Sequence, residues 1–259
     1  MPTVQETAYP RLRNNVTSKE LAAIYTPTPE ELALAQQFTT SGSATRLGFL
    51  ILLKTFQRLG YGISIQAVPL SITQHIAAVS HLSSVQGDLD SYDDSATRKR
   101  HLVLIRDYLQ LHPYRQAATA VMLEALRQAA LTKQDLADLI NVAIEELVRQ
   151  RFELPAFSTL KRAAQSVRAQ IMATFHQQVN GSLTPESRQQ LDALLMIAPP
   201  ATTSIWHDLK QDSGRLTLPH LHIWINRLHQ LNELQFGTLA LRGMKWTRRV
   251  RQFFGINKL

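Results

Sequence analysis

Cysteine does not occur among the 259 residues. Its absence excludes disulfides, thiolate nucleophiles and cysteine-ligated zinc, and it fits a reducing compartment. Long apolar runs are missing too. The longest, LGFLILL at residues 47–53, is far short of a bilayer span, and the N-terminal MPTVQETAYPRLRNN lacks the apolar centre of a signal peptide. The expectation is a soluble, cytoplasmic protein with no membrane partner. Glycine is sparse, at ten residues, and none falls in a Gly-Lys-Ser/Thr phosphate loop, a Gly-x-Ser-x-Gly elbow or a dinucleotide-binding turn. No enzymatic activity and no cofactor are expected.

Apolar residues and positive charge are what the chain does have. At 44% hydrophobic it can bury real cores, and its length favours about two domains. Twenty-eight Lys/Arg against 20 Asp/Glu give a net charge of +8. That excess points to an anionic partner without separating nucleic acid from a membrane surface. Residues 1–90 carry six charges of each sign, so the whole excess lies beyond them, bunched around 98–106, 149–168 and 242–258.

Helix signals recur and strand signals hardly occur. Thr17 with Glu20, and Thr28 with Glu31, have the spacing of capping boxes, with Pro29 at a first helical position. SATRLGFLILLKTFQRLG (43–60) is apolar on almost every side, as expected of a helix at the centre of a bundle, and Gly60 can end it. The turn-rich SSVQGDLDSYDD (83–94) marks a boundary, followed by four amphipathic helices between 95 and 180. Thr184 and Pro185 open a further helix. The expected fold class is all-α: a first module at 1–85, a second at 90–180, and a further helical segment at 183–259.

The stretch RFELPAFSTLKRAAQSVR (151–168) follows a long amphipathic helix after a connection slightly longer than a tight helix-turn-helix turn. Advancing 100° per residue puts Leu160, Ala163, Ala164, Val167, Ile171 and Phe175 on one arc. Ser158, Lys161, Gln165 and Arg168 fall on a neighbouring polar arc, with Arg162 at its edge. Two readings are open: a helix offering its basic side to a DNA groove, or an ordinary helix with a solvated face.

Other clusters divide in the same way. Arg98, Lys99, Arg100, His101 and Arg106 share one helix. Lys99 and Arg106, seven apart, suit two phosphates or a solvated face, while Arg98 turns to the apolar side as a snorkelling or ion-paired residue. In the tail, Trp246, Val250 and Phe253 among Arg248, Arg249 and Arg251 read as a membrane-surface helix or a packed one. His220, His222 and His229 lack a carboxylate at ligand spacing, so no metal site is expected. DLDSYDD lacks the central glycine of a calcium loop, which leaves Asp93 and Asp94 as helix-start residues.

Four strings in order, AYPRLRNNVTSKELAAIYTPTPEELALAQQF, RLGFLILLKTFQRLGY, TRKRHLVLIRDYL and ELPAFSTLKRAAQSVR, resemble the N-terminal region of the large replicative transposases of the Tn-three family. The resemblance implies recognition of a transposon's terminal inverted repeats by consecutive helix-turn-helix modules, similar to the tandem DNA-binding domains of centromere protein B. It also implies that strand cleavage and joining belong to an acidic metal-binding triad far downstream, outside this sequence.

The expected partner is therefore double-stranded DNA, with self-association through the rest of a longer chain possible and a nucleoid-associated location. Ser158, Thr159, Lys161, Arg162, Gln165 and Arg168 are expected to enter or border a major groove. Arg149, Arg151, Lys99, Arg100 and Arg106 are expected to hold phosphates. Ser43, Thr45 and Arg46 start the central helix, where amides and hydroxyls can meet phosphate. Arg11, Arg13 and Asn14 form an arm toward a neighbouring groove. The rival readings are a basic helical interaction scaffold without DNA specificity, and a membrane-surface module resting on the tail.

Overall fold

The computed structural model describes residues 2–39, 42–82, 89, 92–197, 199, 202–211 and 217–233. Among these the architecture is all-α, with eleven helices and no β-strand. The tail from Trp246 to Phe254 lies outside the described residues, as does part of the acidic stretch at 83–94.

Each early helix begins where a hydroxyl and a glutamate can exchange bonds with the first turn. Helix α1 (Ser18–Glu20) runs on into a π turn at Leu21–Tyr25. At its start the Glu20 N–H donates to Thr17 Oγ1 (3.3 Å), and the Glu20 carboxylate accepts from the Thr17 N–H (3.0 Å). Helix α2 (Pro29–Phe38) repeats the device with Thr28 and Glu31 at 3.2 and 2.8 Å. Each pair satisfies two amides that a helix start leaves without intrahelical partners.

Helix α3 (Ser43–Leu59) is buried on all sides from Leu47 to Phe56, and Gly60 ends it at φ 74°. A helix apolar all round can only be stable inside a protein. Around it pack the π turn, α2, α4 (Leu70–Val79) and α5 (Ala96–Leu109), contributing Tyr25, Ala35, Ile72, Ile76 and Ile105 to one core. The Tyr92 ring packs close on Gly48, where a Cβ would lie 2.9 Å from its nearest atom. An ion pair inside this core joins α2 to α3. Lys54 Nζ donates to Glu31 Oε2 (3.1 Å), and Gln57 Nε2 to Glu31 Oε1 (2.6 Å).

Helices α6 (Gln116–Ala130) and α7 (Leu136–Arg149) form a hairpin that buries Met122, Leu126, Leu139, Ile140, Ala143 and Leu147. The extended residues 152–155 then stitch several parts together. The His112 N–H donates to the Arg151 carbonyl and the Glu153 N–H to the His112 carbonyl, both at 2.8 Å, while the Leu154 N–H donates to the Gly60 carbonyl (2.9 Å). Such bonds satisfy a buried connection that has no sheet of its own. Helix α8 (Phe157–Ser182) follows.

Met1–Ala169 forms one compact unit and Gln170–Leu259 another. The core of the first draws on both sides of the 83–94 stretch, since Ile105 packs with the α3 residues. In the second, α9 (Pro185–Leu195) starts at Thr184, whose Oγ1 accepts from the Ser187 N–H, as the sequence predicts. It is followed by α10 (Ile205–Leu209) and α11 (Leu218–Glu233). No helix among the described residues is long and apolar enough to cross a membrane.

Asp93 departs from its expected role. Ser95 caps α5 instead, and the Asp93 carboxylate reaches back to the 3-10 turn at Ile65–Ala67, accepting from the Ile65 N–H (2.8 Å) and lying 3.1 Å from Arg98 Nε. Arg98 also donates to the Ile63 carbonyl (2.8 Å), so it holds the fold together, as its reading as an ion-paired residue on the apolar side has it.

Candidate nucleic-acid interface

Seven residues, 150–156, separate α7 from α8. Along α8, Leu160, Ala164 and Val167 are buried, Ser158 and Arg162 are exposed, and Thr159, Lys161 and Gln165 are half-buried. Leu160, Ala164 and Val167 of the apolar arc are thus the packed side, Ala163, Ile171 and Phe175 are half-buried, and the polar arc is partly accessible. Arg168, also on that arc, donates from Nη1 to the Gln134 carbonyl at the α6–α7 connection (3.2 Å). It braces α8 against the hairpin.

Three of the arginines expected to hold phosphate come together. Arg106, Arg149 and Arg151 line one open concavity of about 540 Å³ with Gln110, His112 and one carboxylate, Asp107. Their states differ. Arg106 makes a two-pronged pair with Glu153, and Arg149 is paired with Glu146 at 2.6 Å. Hydrogen bonds from Arg149, then Gln150, pull the Glu146 carboxyl down to about 2. Arg151 is exposed and has no carboxylate partner among the described residues.

Arg151 also sits in the left-handed region, at φ 59°, and so does Gln110, at φ 54°. Both occupy the position just past a helix where glycine is usual. The Phe152 N–H bonds back to the Leu147 carbonyl and the Leu111 N–H to the Arg106 carbonyl, which closes the two helix ends in the same way. A side chain there costs about 1 kcal/mol relative to glycine. Two such positions facing one concavity place long polar side chains where stability alone would favour none. Gln110 and His112 were not among the residues singled out from the sequence. The only signal pointing to them is negative: α5 and α7 end without a glycine.

The remaining basic residues lie elsewhere. Lys99 and Arg100 are exposed on α5, two turns before Arg106. Ser43 is exposed and Thr45 half-buried at the start of α3, and Arg46 Nε donates to Thr39 Oγ1 (3.3 Å). Arg11, Arg13 and Asn14 are exposed, with Arg13 Nη1 3.8 Å from Glu20 Oε1. Just before them the chain is tied down. Tyr9 is buried, its hydroxyl donates to the Pro155 carbonyl (2.9 Å), and its ring meets Phe157 at 5.5 Å. No group of three or more His, Asp or Glu residues able to hold a metal occurs among the described residues.

Residues 1–167 match the family model described as Domain of unknown function (DUF4158). The chain is 27% identical over 214 residues to the transposase for transposon Tn501 of Pseudomonas aeruginosa, covering 81% of this chain and 21% of that protein. It is likewise 27% identical over 200 residues to the transposase for transposon Tn1546 of Enterococcus faecium, covering 76% of this chain and 20% of that protein. The chain therefore spans about one fifth of the length of these curated relatives.

Proposed function

The chain belongs to the DUF4158 family, and from that premise we propose that it is the end-recognition region of a transposase, binding duplex DNA at the terminal inverted repeats of a transposon. The observation that carries the reading is the division of α8. Its Leu160–Ala164–Val167 side is packed away while Ser158 and Arg162 are exposed, with Lys161 and Gln165 half-buried beside them, after the seven-residue connection from α7. A helix fixed on one side and polar on the other suits the major groove, which admits one helix and presents a distinct donor and acceptor pattern for each base pair. The similarity to two transposases makes DNA the anion of choice for a chain of net charge +8.

Within this reading Ser158, Thr159, Lys161, Arg162 and Gln165 face bases, and Lys99, Arg100 and Arg151 take phosphates. Arg149 and Arg106 take part only if a phosphate displaces or shares their carboxylates. Arg168 orients α8. The segments 1–85 and 90–180 meet the DNA in succession, held up to Ala169 in one packed unit, with Ser43, Thr45 and Arg46 at the backbone. Strand cleavage and joining fall to other parts of a longer protein.

Selection of bound duplexes from a random pool tests the reading. An enriched sequence that recurs at the ends of related transposons supports it, with affinity falling by about 0.9 log units per phosphate neutralised for each tenfold rise in salt. Retention of no sequence over the pool leaves the interaction-scaffold alternative in its place.

A further inference from the structure

The N-terminal strap is locked to the start of α8 by a cluster of three aromatic rings that the sequence separates by more than 140 residues. Tyr9 meets Tyr61 at 5.2 Å and Phe157, the first residue of α8, at 5.5 Å in edge contact. Its hydroxyl donates to the Pro155 carbonyl (2.9 Å). Two flanking bonds secure the same stretch. The Ala8 N–H donates to Asn141 Oδ1 on α7 (2.7 Å), and the Tyr61 hydroxyl donates to the Pro10 carbonyl (3.0 Å). Residues 8–10 are therefore held at once to α7, to the α7–α8 connection, to α8 and to the segment that follows α3.

This is dense fixation for three residues outside any helix. Beyond it Leu12 and Val16 still pack partly buried against the core, while Arg11, Arg13, Asn14 and Asn15 are exposed. Arg11 is two residues from Tyr9, so its backbone lies within about 7 Å of the anchor. Ser158, the first exposed residue of the polar arc, directly follows Phe157. The anchor thus brings together two polar elements that would otherwise be independent.

We propose that Tyr9 is a positioning residue for DNA recognition: it clamps the basic arm beginning at Arg11 to the N-terminal turn of α8, so that both address one stretch of duplex in fixed register. The inference rests on the DNA-recognition reading above and adds that arm and helix act as one unit. A free arm would add phosphate contacts at a high cost in conformational entropy and carry little sequence information. An arm fixed beside the helix loses that freedom on folding, and its contacts are set at a defined offset from those of α8. Neither ring partner needs to touch DNA.

The test uses the duplex enriched from the random pool by the wild-type chain, and measures the ratio of affinity for it to affinity for random duplex of equal length. Tyr9→Phe keeps all three rings and loses one hydrogen bond, so it retains the ratio. Tyr9→Ala releases the strap and lowers the ratio about tenfold, a step comparable to one mismatched base pair. Arg11→Ala weakens binding in the wild type and has no further effect in the Tyr9→Ala background. A merely supporting role for Tyr9 would lower the melting temperature and leave that coupling absent.

A folded Tyr9→Ala chain with an unchanged ratio overturns the inference. So does an equal effect of Arg11→Ala in both backgrounds. Should Tyr9→Ala not fold, Phe157→Leu breaks the same cluster from the α8 side and must reproduce the loss of ratio. Failure of the underlying reading shows itself earlier and separately, as a wild-type chain that enriches no sequence, and the inference falls with it.

Discussion

Arg106 and Glu153 are 47 residues apart and meet through two parallel bonds, Nε to Oε2 at 2.9 Å and Nη2 to Oε1 at 3.3 Å. The pair ties α5 to the connection that launches α8. Both side chains are about one fifth exposed or less, so the pair lies between a surface bridge, worth little, and a buried one, whose breakage is costly. Arg106→Ala is expected to destabilise the fold by about 2 kcal/mol, because Glu153 is left partly desolvated without its cation. Adding Glu153→Ala should recover part of that loss. A double-mutant cycle read from denaturant unfolding measures the coupling, and strict additivity would remove the pair from the account of α8's placement.

The Lys54–Glu31 pair is a second, stronger case. The two side chains are 8% and 3% exposed, and the carboxylate also accepts from the Thr28 amide and from Gln57. Lys54→Met is expected to cost about 3–5 kcal/mol, since it strands a negative charge in the core. The double variant Lys54→Met/Glu31→Leu should be more stable than Lys54→Met alone, although it gives up the α2 capping box. Equal midpoints for the single and double variants in urea would show that the carboxylate is not held as a charge.

Much of this architecture is legible in the sequence because it is local. The hydroxyl-to-glutamate spacings start α1 and α2 where expected, the all-round apolar pattern of 43–60 becomes the central helix, and the Leu160–Ala164–Val167 arc becomes the packed side of α8. What the sequence conceals is pairing across distance. Arg106 reads as a surface cation from its own helix, and only the fold brings Glu153 to it. Asp93 reads as a charge favouring its own helix start, yet it caps a turn 28 residues earlier. Tyr9 carries no local signal, since its partners Tyr61 and Phe157 come from two other segments. The arginines around 149–151 read as one basic patch, although one is paired and the other is held at positive φ.

His101 is expected to make the first unit sensitive to acid. It is buried, packs edge-on against Phe49 at 5.1 Å, and its Nδ1 lies 2.5 Å from the Tyr92 hydroxyl. Burial first, then the neighbouring Arg100 guanidinium, pushes its imidazole below the usual range, against a weaker opposing backbone bond at Phe38. The folded value is therefore depressed below the unfolded value of about 6.5. Between the two the unfolded chain binds more protons, so stability is full above about pH 6.5 and is lost as pH falls from there through the folded value. Unfolding midpoints measured between pH 7.5 and 5.5 should decline for the wild type and flatten over that window for His101→Leu. A His101→Leu profile parallel to the wild type would assign the decline to other groups.

Arg151 offers the sharpest separation of folding from function, because the two make opposite demands on the same position. At φ 59° its backbone suits glycine, and the bonds of the Arg151 N–H to the Val148 carbonyl (3.0 Å) and of the Phe152 N–H to the Leu147 carbonyl (2.9 Å) do not involve its side chain. Arg151→Gly should therefore stabilise the chain by about 1 kcal/mol, offset in part by the greater freedom of glycine in the unfolded state. The same substitution removes an exposed guanidinium from the concavity shared with Arg106 and Arg149. If that guanidinium holds a phosphate, affinity for duplex DNA falls for cognate and random sequences alike, and the slope of log affinity against log salt becomes shallower by about 1. Arg149→Ala, whose cation is already paired with Glu146, should change the slope less. A more stable Arg151→Gly chain that binds DNA unchanged would mean that the left-handed arginine serves neither purpose, and the concavity would drop out of the interface.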